Sequence, residues 1–138
     1  MQFRTESNIE AVSSKQWNSL VDSEFPFSEY AFLSALEKSG CVGEASGWVP
    51  CHLTLWKNKQ LQGALCLYEK NNGYGEYIFD WGWAKAYERY GLNYYPKLVS
   101  AIPFTPATGR KLLVHPEADT SSVRKKLLEE ALACMRDR

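Results

Sequence analysis

The strongest constraint on this chain is where its aromatic residues fall. It has five Trp, eight Tyr and six Phe, and ten of them lie between Gly73 and Pro106: Tyr74, Tyr77, Phe79, Trp81, Trp83, Tyr87, Tyr90, Tyr94, Tyr95 and Phe104. Interleaved with them are Glu76, Asp80, Lys85, Glu88, Arg89 and Lys97. Trp and Tyr carry an N–H or O–H that needs a partner when buried, so a dry aliphatic-type core is a poor home for this stretch. The mixture points to a cleft wall, a partner surface, or a core that is wet on one side.

With 138 residues, 45% hydrophobic and 23% charged, the chain has enough material for one domain with its own core. Sixteen basic residues balance sixteen acidic ones, which removes the electrostatic footprint of non-specific nucleic-acid binding. Nucleic acid is therefore not the expected partner, although a tRNA-borne donor stays open. The run Arg124-Lys125-Lys126 reads as a solvated helix face. No stretch reaches the roughly 18–20 apolar residues of a membrane span. The polar start, MQFRTESNIE, is unlike a secretory signal, so a cytoplasmic location is expected. Cys41, Cys51, Cys66 and Cys134 form no CxxC pair, and the adjacent Cys51 and His52 lack two further ligands at workable spacing. Reduced thiols and no metal are the expectation.

Residues 13–22 read as a helix capped by Ser13 or Ser14, with Trp17, Leu20 and Val21 on one face. Pro26 breaks it, Ser28 opens a second helix, and Gly40 closes that one. His52–Trp56 and Leu61–Tyr68 alternate around Lys57–Gln60, a hairpin pattern. Tyr77–Phe79 follows as a third strand, and Asp80 caps a helix that runs to Tyr90 and ends at Gly91. Lys97–Ile102 and Lys111–Val114 read as strands stopped by Pro103 and Pro116. An amphipathic helix from Thr120 or Ser121 carries Val123, Leu127, Leu128, Ala131, Leu132 and Met135 on one stripe. The order α-α-β-β-β-α-β-β-α predicts an α/β (α+β) sandwich around a mostly antiparallel sheet. The last helix runs to Arg138 without a cap, so we expect the front portion of a longer two-domain protein.

Several residue groups can carry chemistry. Gly73-Tyr74-Gly75-Glu76 lacks both the GxGxxG pattern and the phosphate-loop Lys, and reads as a tight turn. Glu76 and Asp80, four apart and flanked by Tyr77 and Trp81, are the candidate catalytic carboxylates. Partial desolvation would raise a carboxyl pKa towards general-base work; Asp80 reads first as a helix cap, and Glu76 equally as a solvated turn residue. Trp81, Trp83, Tyr94 and Tyr95 are the candidate substrate wall. Lys97 and Arg110, on either side of a Pro-bounded strand, are candidate contacts for an anionic group. His52, at a strand start, is either a satisfied structural residue or a substrate contact. No covalent nucleophile stands out.

The strings Pro26-Phe27, Phe32-Leu33, Ala35-Leu36-Glu37, Gly47-Trp48, Pro50 and His52-Leu53 resemble the opening of a bacterial family of FemAB-like predicted N-acyltransferases, a peptidoglycan biosynthesis/recognition family. The likeness continues through Tyr68, Lys70, Gly75-Glu76-Tyr77, Phe79-Asp80-Trp81, Trp83-Ala84, Tyr94-Tyr95-Pro96-Lys97-Leu98 and Pro103-Phe104-Thr105-Pro106. It covers about residues 13 to 115, and its FDWxWA and YYPKL strings are rich in rare residues. The resemblance implies a GNAT-like (acyl-CoA N-acyltransferase) fold. It also implies transfer of an acyl or aminoacyl group to an amine, with acyl-CoA or an aminoacyl carrier as donor and a small molecule or cell-wall precursor as acceptor. Such transfer proceeds by direct attack of the amine and requires no enzyme nucleophile. The chain departs from the pattern at Asn72-Gly73, where His-Ser is expected, and at Arg110-Lys111, where a single Arg is expected. It also has no Gln/Arg-x-x-Gly-x-Gly/Ala pyrophosphate loop, so donor binding by this piece alone is not expected. Two other readings compete with catalysis. In one, a binding module stacks its aromatics on a sugar or cell-wall peptide. In the other, a structural half-domain packs its aromatic face against a missing C-terminal domain or a second copy.

Overall fold

The computed structural model describes residues 1–22 and 24–137. Its elements are β1 (Gln2–Glu6), α1 (Ser14–Asn18), α2 (Tyr30–Lys38), β2 (Trp48–Pro50), β3 (His52–Lys57), β4 (Gln60–Leu65), β5 (Tyr68–Lys70), α3 (Trp81–Arg89), β6 (Lys97–Val99), β7 (Leu112–Val114) and α4 (Thr120–Arg136), with single 3-10 turns at Ile9–Ala11 and Pro26–Ser28. The strands form two antiparallel sheets, one in the order β1-β3-β4-β7 and one in the order β2-β5-β6. The α+β class with antiparallel strands agrees with the sequence reading.

The hairpin is built as its residues dictate. Asn58 and Lys59 both take left-handed backbone, at φ 50° and 63°, the conformation a two-residue turn needs to match the strand twist. The larger sheet is covered on both faces. On one, Ile9, Val12, Trp17, Leu20 and Leu33 pack on Trp56, Leu61, Ala64 and Leu113. Here Trp17 donates its Nε1–H to the Ser28 carbonyl at 2.8 Å, so the indole is buried with its polar atom satisfied. On the other face, Val123 and Leu127 of α4 pack on Leu53, Leu55 and Leu65. The smaller sheet centres on Trp48, Tyr68 and Val42.

Several expectations need correction. β1 and β2 add to the predicted order; β1 carries a single apolar residue, Phe3, and β2 is only three residues long. The run Leu61–Tyr68 is not one strand: it breaks after Leu65, leaving β4 in the first sheet and β5 in the second. Tyr77–Phe79 is not a strand. Tyr77 has φ 61°, and all three side chains stand in solvent, Ile78 at 86% exposure. The three apolar residues there belong to a surface loop, not a pleat. The 97–102 strand stops at Val99, and α4 is capped by Asp119, which accepts from the Ser122 N–H at 3.1 Å. α2 starts after Glu29, not at Ser28. Ser13 does cap α1, and Gly40 and Gly91 take the positive φ expected just past α2 and α3.

Two glycines give opposite expectations for stability. A Cβ on Gly63 would lie 2.5 Å from Val123 Cγ1 and 3.0 Å from the Leu113 carbonyl oxygen, whereas one on Gly82 meets nothing within 4 Å. Gly63→Ala is expected to cost about 1–3 kcal/mol by overpacking the seat of α4. Gly82→Ala, inside α3, is expected to stabilise by about 0.5–1 kcal/mol. Urea unfolding of both variants tests the pair, and equal midpoints would contradict the packing described.

Candidate functional site

A row of three side chains crosses the smaller sheet. Trp48 on β2 pairs with Lys70 on β5, and Lys70 pairs with Lys97 on β6. Opposed residues of antiparallel strands point to the same face, so two ammonium groups are forced together, which is unfavourable unless countered. The fold counters it with the segment that follows β5. Lys70 is fully buried; its Nζ lies 4.3 Å from the Trp48 ring centroid and donates to the Tyr74 carbonyl at 2.7 Å and to Asn72 Oδ1 at 3.2 Å. Trp48 donates its Nε1–H to the same Tyr74 carbonyl at 3.1 Å. Lys97 Nζ lies 2.9 Å from Glu76 Oε1 and 3.0 Å from Oε2, and also pairs with Asp80 Oδ2, which accepts a second hydrogen bond from the Tyr94 hydroxyl. The 71–80 segment is thus clamped over the two lysines. Gly75 permits the clamp: at φ 81°, a Cβ there would meet the Phe104 ring at 2.5 Å.

The electrostatics follow this geometry. Burial pushes the Asp80 carboxyl up, but hydrogen bonds from Lys97 and Tyr94 and the Lys97 charge outweigh it and hold the group below its ordinary range. Burial lowers Lys97, and its bonds to Asp80 and Glu76 more than restore it, leaving it raised. Lys70 is lowered, chiefly by burial and further by Lys97, with Glu76 and Asp80 opposing. Burial and the bond to Asp80 raise the Tyr94 phenol to about 12. The expected upward shift of a catalytic carboxyl is therefore reversed at Asp80. Nor does the Asp80 side chain cap α3, since it faces Lys97.

Of the residues singled out in the sequence, Glu76, Asp80, Tyr94 and Lys97 come together, with Tyr95 alongside (Lys97 Nζ lies 5.8 Å from its ring). Trp81 and Trp83 stand next to the cluster at the start of α3, 49% and 68% exposed. Phe79 lies over Trp81 at 4.6 Å between ring centroids. A cavity of about 690 Å³ runs from Trp81 along α3 to Tyr94 and Tyr95. Two residues lie elsewhere. Arg110 borders a different cavity, beside β7, so it does not join Lys97 in an anion clamp. His52 is fully buried between Trp17 and Tyr68, its Nδ1 accepting from the Leu67 N–H at 3.3 Å and its Nε2 3.5 Å from Glu37 Oε1. It is a core residue with no surface to offer a substrate. Lys97 is itself saturated by two carboxylates and holds no spare charge for an anion.

Sequence reasoning passed over Lys70 as a site residue. The available signal was its place in Tyr68-Glu69-Lys70: alternation puts Lys70 on the same face as buried Tyr68, where an apolar residue is the norm. Cys66 is buried, which raises its thiol to about 12, so it has no reactive character. Among the described residues no group of three or more His, Cys, Asp or Glu is gathered as a metal site, and no helix is long and apolar enough to cross a membrane.

Comparison with known families gives one match. Residues 8–138 fit the model of the FemAB_like family, described as peptidoglycan biosynthesis/recognition. Neither the curated proteins nor the solved structures contain a significant match to the chain.

The cluster makes stability depend on pH in a defined direction. Asp80, with its lowered folded-state pKa, contributes stability above the ordinary carboxylate range that is lost as pH falls through its folded value. Lys97, raised, contributes stability below the ordinary lysine value that is lost as pH rises through its folded value. Asp80→Asn should flatten the acid limb of a plot of urea midpoint against pH, and an unaltered acid limb would refute the pairing. Lys97→Met should cost about 2–3 kcal/mol, somewhat below a fully buried pair because Lys97 and Asp80 keep some solvent contact.

Proposed function

The chain belongs to the FemAB_like family of peptidoglycan biosynthesis/recognition, and on that footing we propose that it is the acceptor-recognition domain of a GNAT-like N-acyltransferase that moves an acyl or aminoacyl group to an amine of a cell-wall precursor. The observation that carries the reading is the exposed shelf of Trp81, Trp83, Phe79 and Tyr74, set beside a charge cluster whose members are all engaged with one another. Flat aromatic faces beside fixed polar groups suit a sugar ring with its hydroxyls.

In the transfer, the acceptor amine attacks the donor's acyl carbonyl. A tetrahedral intermediate forms, and the leaving group departs carrying the proton that the attacking nitrogen releases. No enzyme nucleophile takes part. Glu76 and Asp80 act as positioning residues here: they fix Lys97 and Tyr94, and Asp80, held ionised, is a weak base. The chain binds and orients the acceptor. The donor, acyl-CoA or an aminoacyl carrier, is assigned to a second, C-terminal domain, because the sequence has no pyrophosphate loop. A cytoplasmic setting accords with such a donor.

A second reading is favoured by one feature. Ile78, Tyr90 and Leu92 are exposed as fully as the shelf, and Leu128, Leu132 and Met135 of α4 add to the apolar surface. Two or three rings suffice for a sugar, so part of this surface suits a protein partner, whether the C-terminal domain or a second copy.

Titration with a soluble disaccharide–peptide fragment of peptidoglycan, followed by Trp fluorescence, tests the first reading. Saturable quenching is expected, and the double variant Trp81→Ala/Trp83→Ala should weaken binding by about tenfold or more. Equal affinity of the double variant, or a response to acyl-CoA and none to the fragment, would overturn it.

A further inference from the structure

We propose that His52 is a proton-operated pin at the crease between the two sheets. Neutral, its ring holds the Leu67 N–H and with it the start of β5; doubly protonated, it releases Leu67 and pairs with Glu37. The crease lies where two strand pairs change sheet. β2 passes into β3 at Cys51, and β4 passes into β5 at Cys66-Leu67. The Cys51 N–H donates to the Leu67 carbonyl at 3.0 Å, which ties the two crossings together. The Leu67 N–H goes to a side chain instead, donating to His52 Nδ1 at 3.3 Å. A buried main-chain N–H needs a partner, and the imidazole supplies it.

That bond fixes the ring's proton. A nitrogen that accepts carries no hydrogen, so the neutral ring bears its proton on Nε2. Nε2 is buried, faces Glu37 Oε1 at 3.5 Å and makes no hydrogen bond among the described residues. The Glu37 carboxylate takes the Ile9 N–H through both oxygens, at 3.1 and 2.9 Å. A second proton can enter the ring only at Nδ1, where it would meet the Leu67 N–H head-on. The same proton makes the Nε2 contact with Glu37 an ion pair. One partner is therefore gained as the other is lost, the property of a two-state element.

The surroundings leave few other groups to answer acid. The Tyr68 and Trp17 rings pack on the imidazole, at 5.2 and 6.0 Å between centroids, and the thiols of Cys51 and Cys66 lie at the crease. Acid adds no charge to a phenol, an indole or a thiol. Glu6, opposite His52 on β1, accepts from the Thr54 hydroxyl at 3.2 Å. His52, Glu37 and Glu6 are thus the groups whose charge changes here as pH falls. Releasing Leu67 frees the entry to β5, the central strand of the smaller sheet, while β3 and β4 keep their own ladders. Acid should therefore loosen the smaller sheet before the larger one. These effects lie within the sheet, so the switch stands or falls separately from what the aromatic shelf binds.

The test uses the whole chain labelled with ¹⁵N. At neutral pH, long-range ¹H–¹⁵N spectra should show His52 with its proton on Nε2. As pH falls, the ring should become doubly protonated. At the same midpoint Leu67, Tyr68 and Lys70 should lose hydrogen-exchange protection by about tenfold or more, while Leu55 and Ala64 keep theirs. Glu37→Gln keeps an acceptor for the Ile9 N–H and removes the charge that attracts the imidazolium, so both midpoints should move to lower pH. Glu6→Gln should move them less. His52→Asn offers Leu67 an acceptor that does not titrate, and should hold Leu67 protected where the parent chain releases it. A proton on Nδ1 at neutral pH, or a doubly protonated ring with Leu67 still protected, would overturn the proposal. So would an unmoved midpoint in Glu37→Gln, or loss of protection in both sheets together while the ring is still neutral.

Discussion

Two lysines placed opposite each other on neighbouring strands are the fact around which the smaller sheet is arranged. Lys70 and Lys97 repel across the β5–β6 ladder, and neither can be left unanswered at that depth. The answer comes from sequence between them. Asn72 and the Tyr74 carbonyl take Lys70, and Glu76 and Asp80 take Lys97. The charges therefore do what hydrogen-bond ladders cannot: they hold an irregular ten-residue segment against the sheet. That segment in turn sets the start of α3, and with it the orientation of Trp81 and Trp83. Breaking the row would release the aromatic shelf as well as the ion pairs.

The same row explains why a carboxylate close to a cleft is a poor base in this protein. A general base gains from a pKa near the working pH, which needs burial without a compensating cation. Asp80 has the burial but also the Lys97 ammonium and the Tyr94 hydroxyl, and these outweigh it. Fixed charges of this kind are useful for orientation. A polar surface that does not rearrange can hold a sugar or an amine at low entropic cost, and this division of labour accords with a family described by both biosynthesis and recognition.

How far the fold could be read from sequence depended on whether a signal was local. The Ser13 cap, the Asn58-Lys59 turn and the positive-φ glycines at 40 and 91 all follow from short-range chemistry and are where the residues indicated. β1 escaped notice because Phe3 alone marks it, and its pairing with β3 spans some fifty residues of chain. The 61–68 run looked continuous because apolar residues persist unbroken from Ala64 through Cys66-Leu67 to Tyr68, while the sheet assignment changes there for tertiary reasons. At the site, the YYPKL string and the Glu76/Asp80 pair were visible as types, but their mutual saturation was not. Spacing indicates which residues are near one another in sequence; it does not indicate that Lys97, twenty-one residues from Glu76, lies against it. Arg110 shows the converse. Chemically it resembles Lys97, yet the chain between them carries it to the β7 edge.

The two ends of the molecule manage exposed binding potential in different ways. At the smaller sheet, polar groups are satisfied internally and apolar rings are left in solvent, so binding there would be driven by stacking and desolvation. At the β7 edge, the main-chain groups of Leu112 and Val114 turn away from β4 into a mixed polar and apolar cavity. An open strand edge is normally blunted by charge, a bulge or a cover, because it invites pairing with any extended chain. Here Asp22, Glu24, Arg110 and Arg124 set charges of both signs beside the β7 edge, one of the devices that blunt an edge strand against pairing.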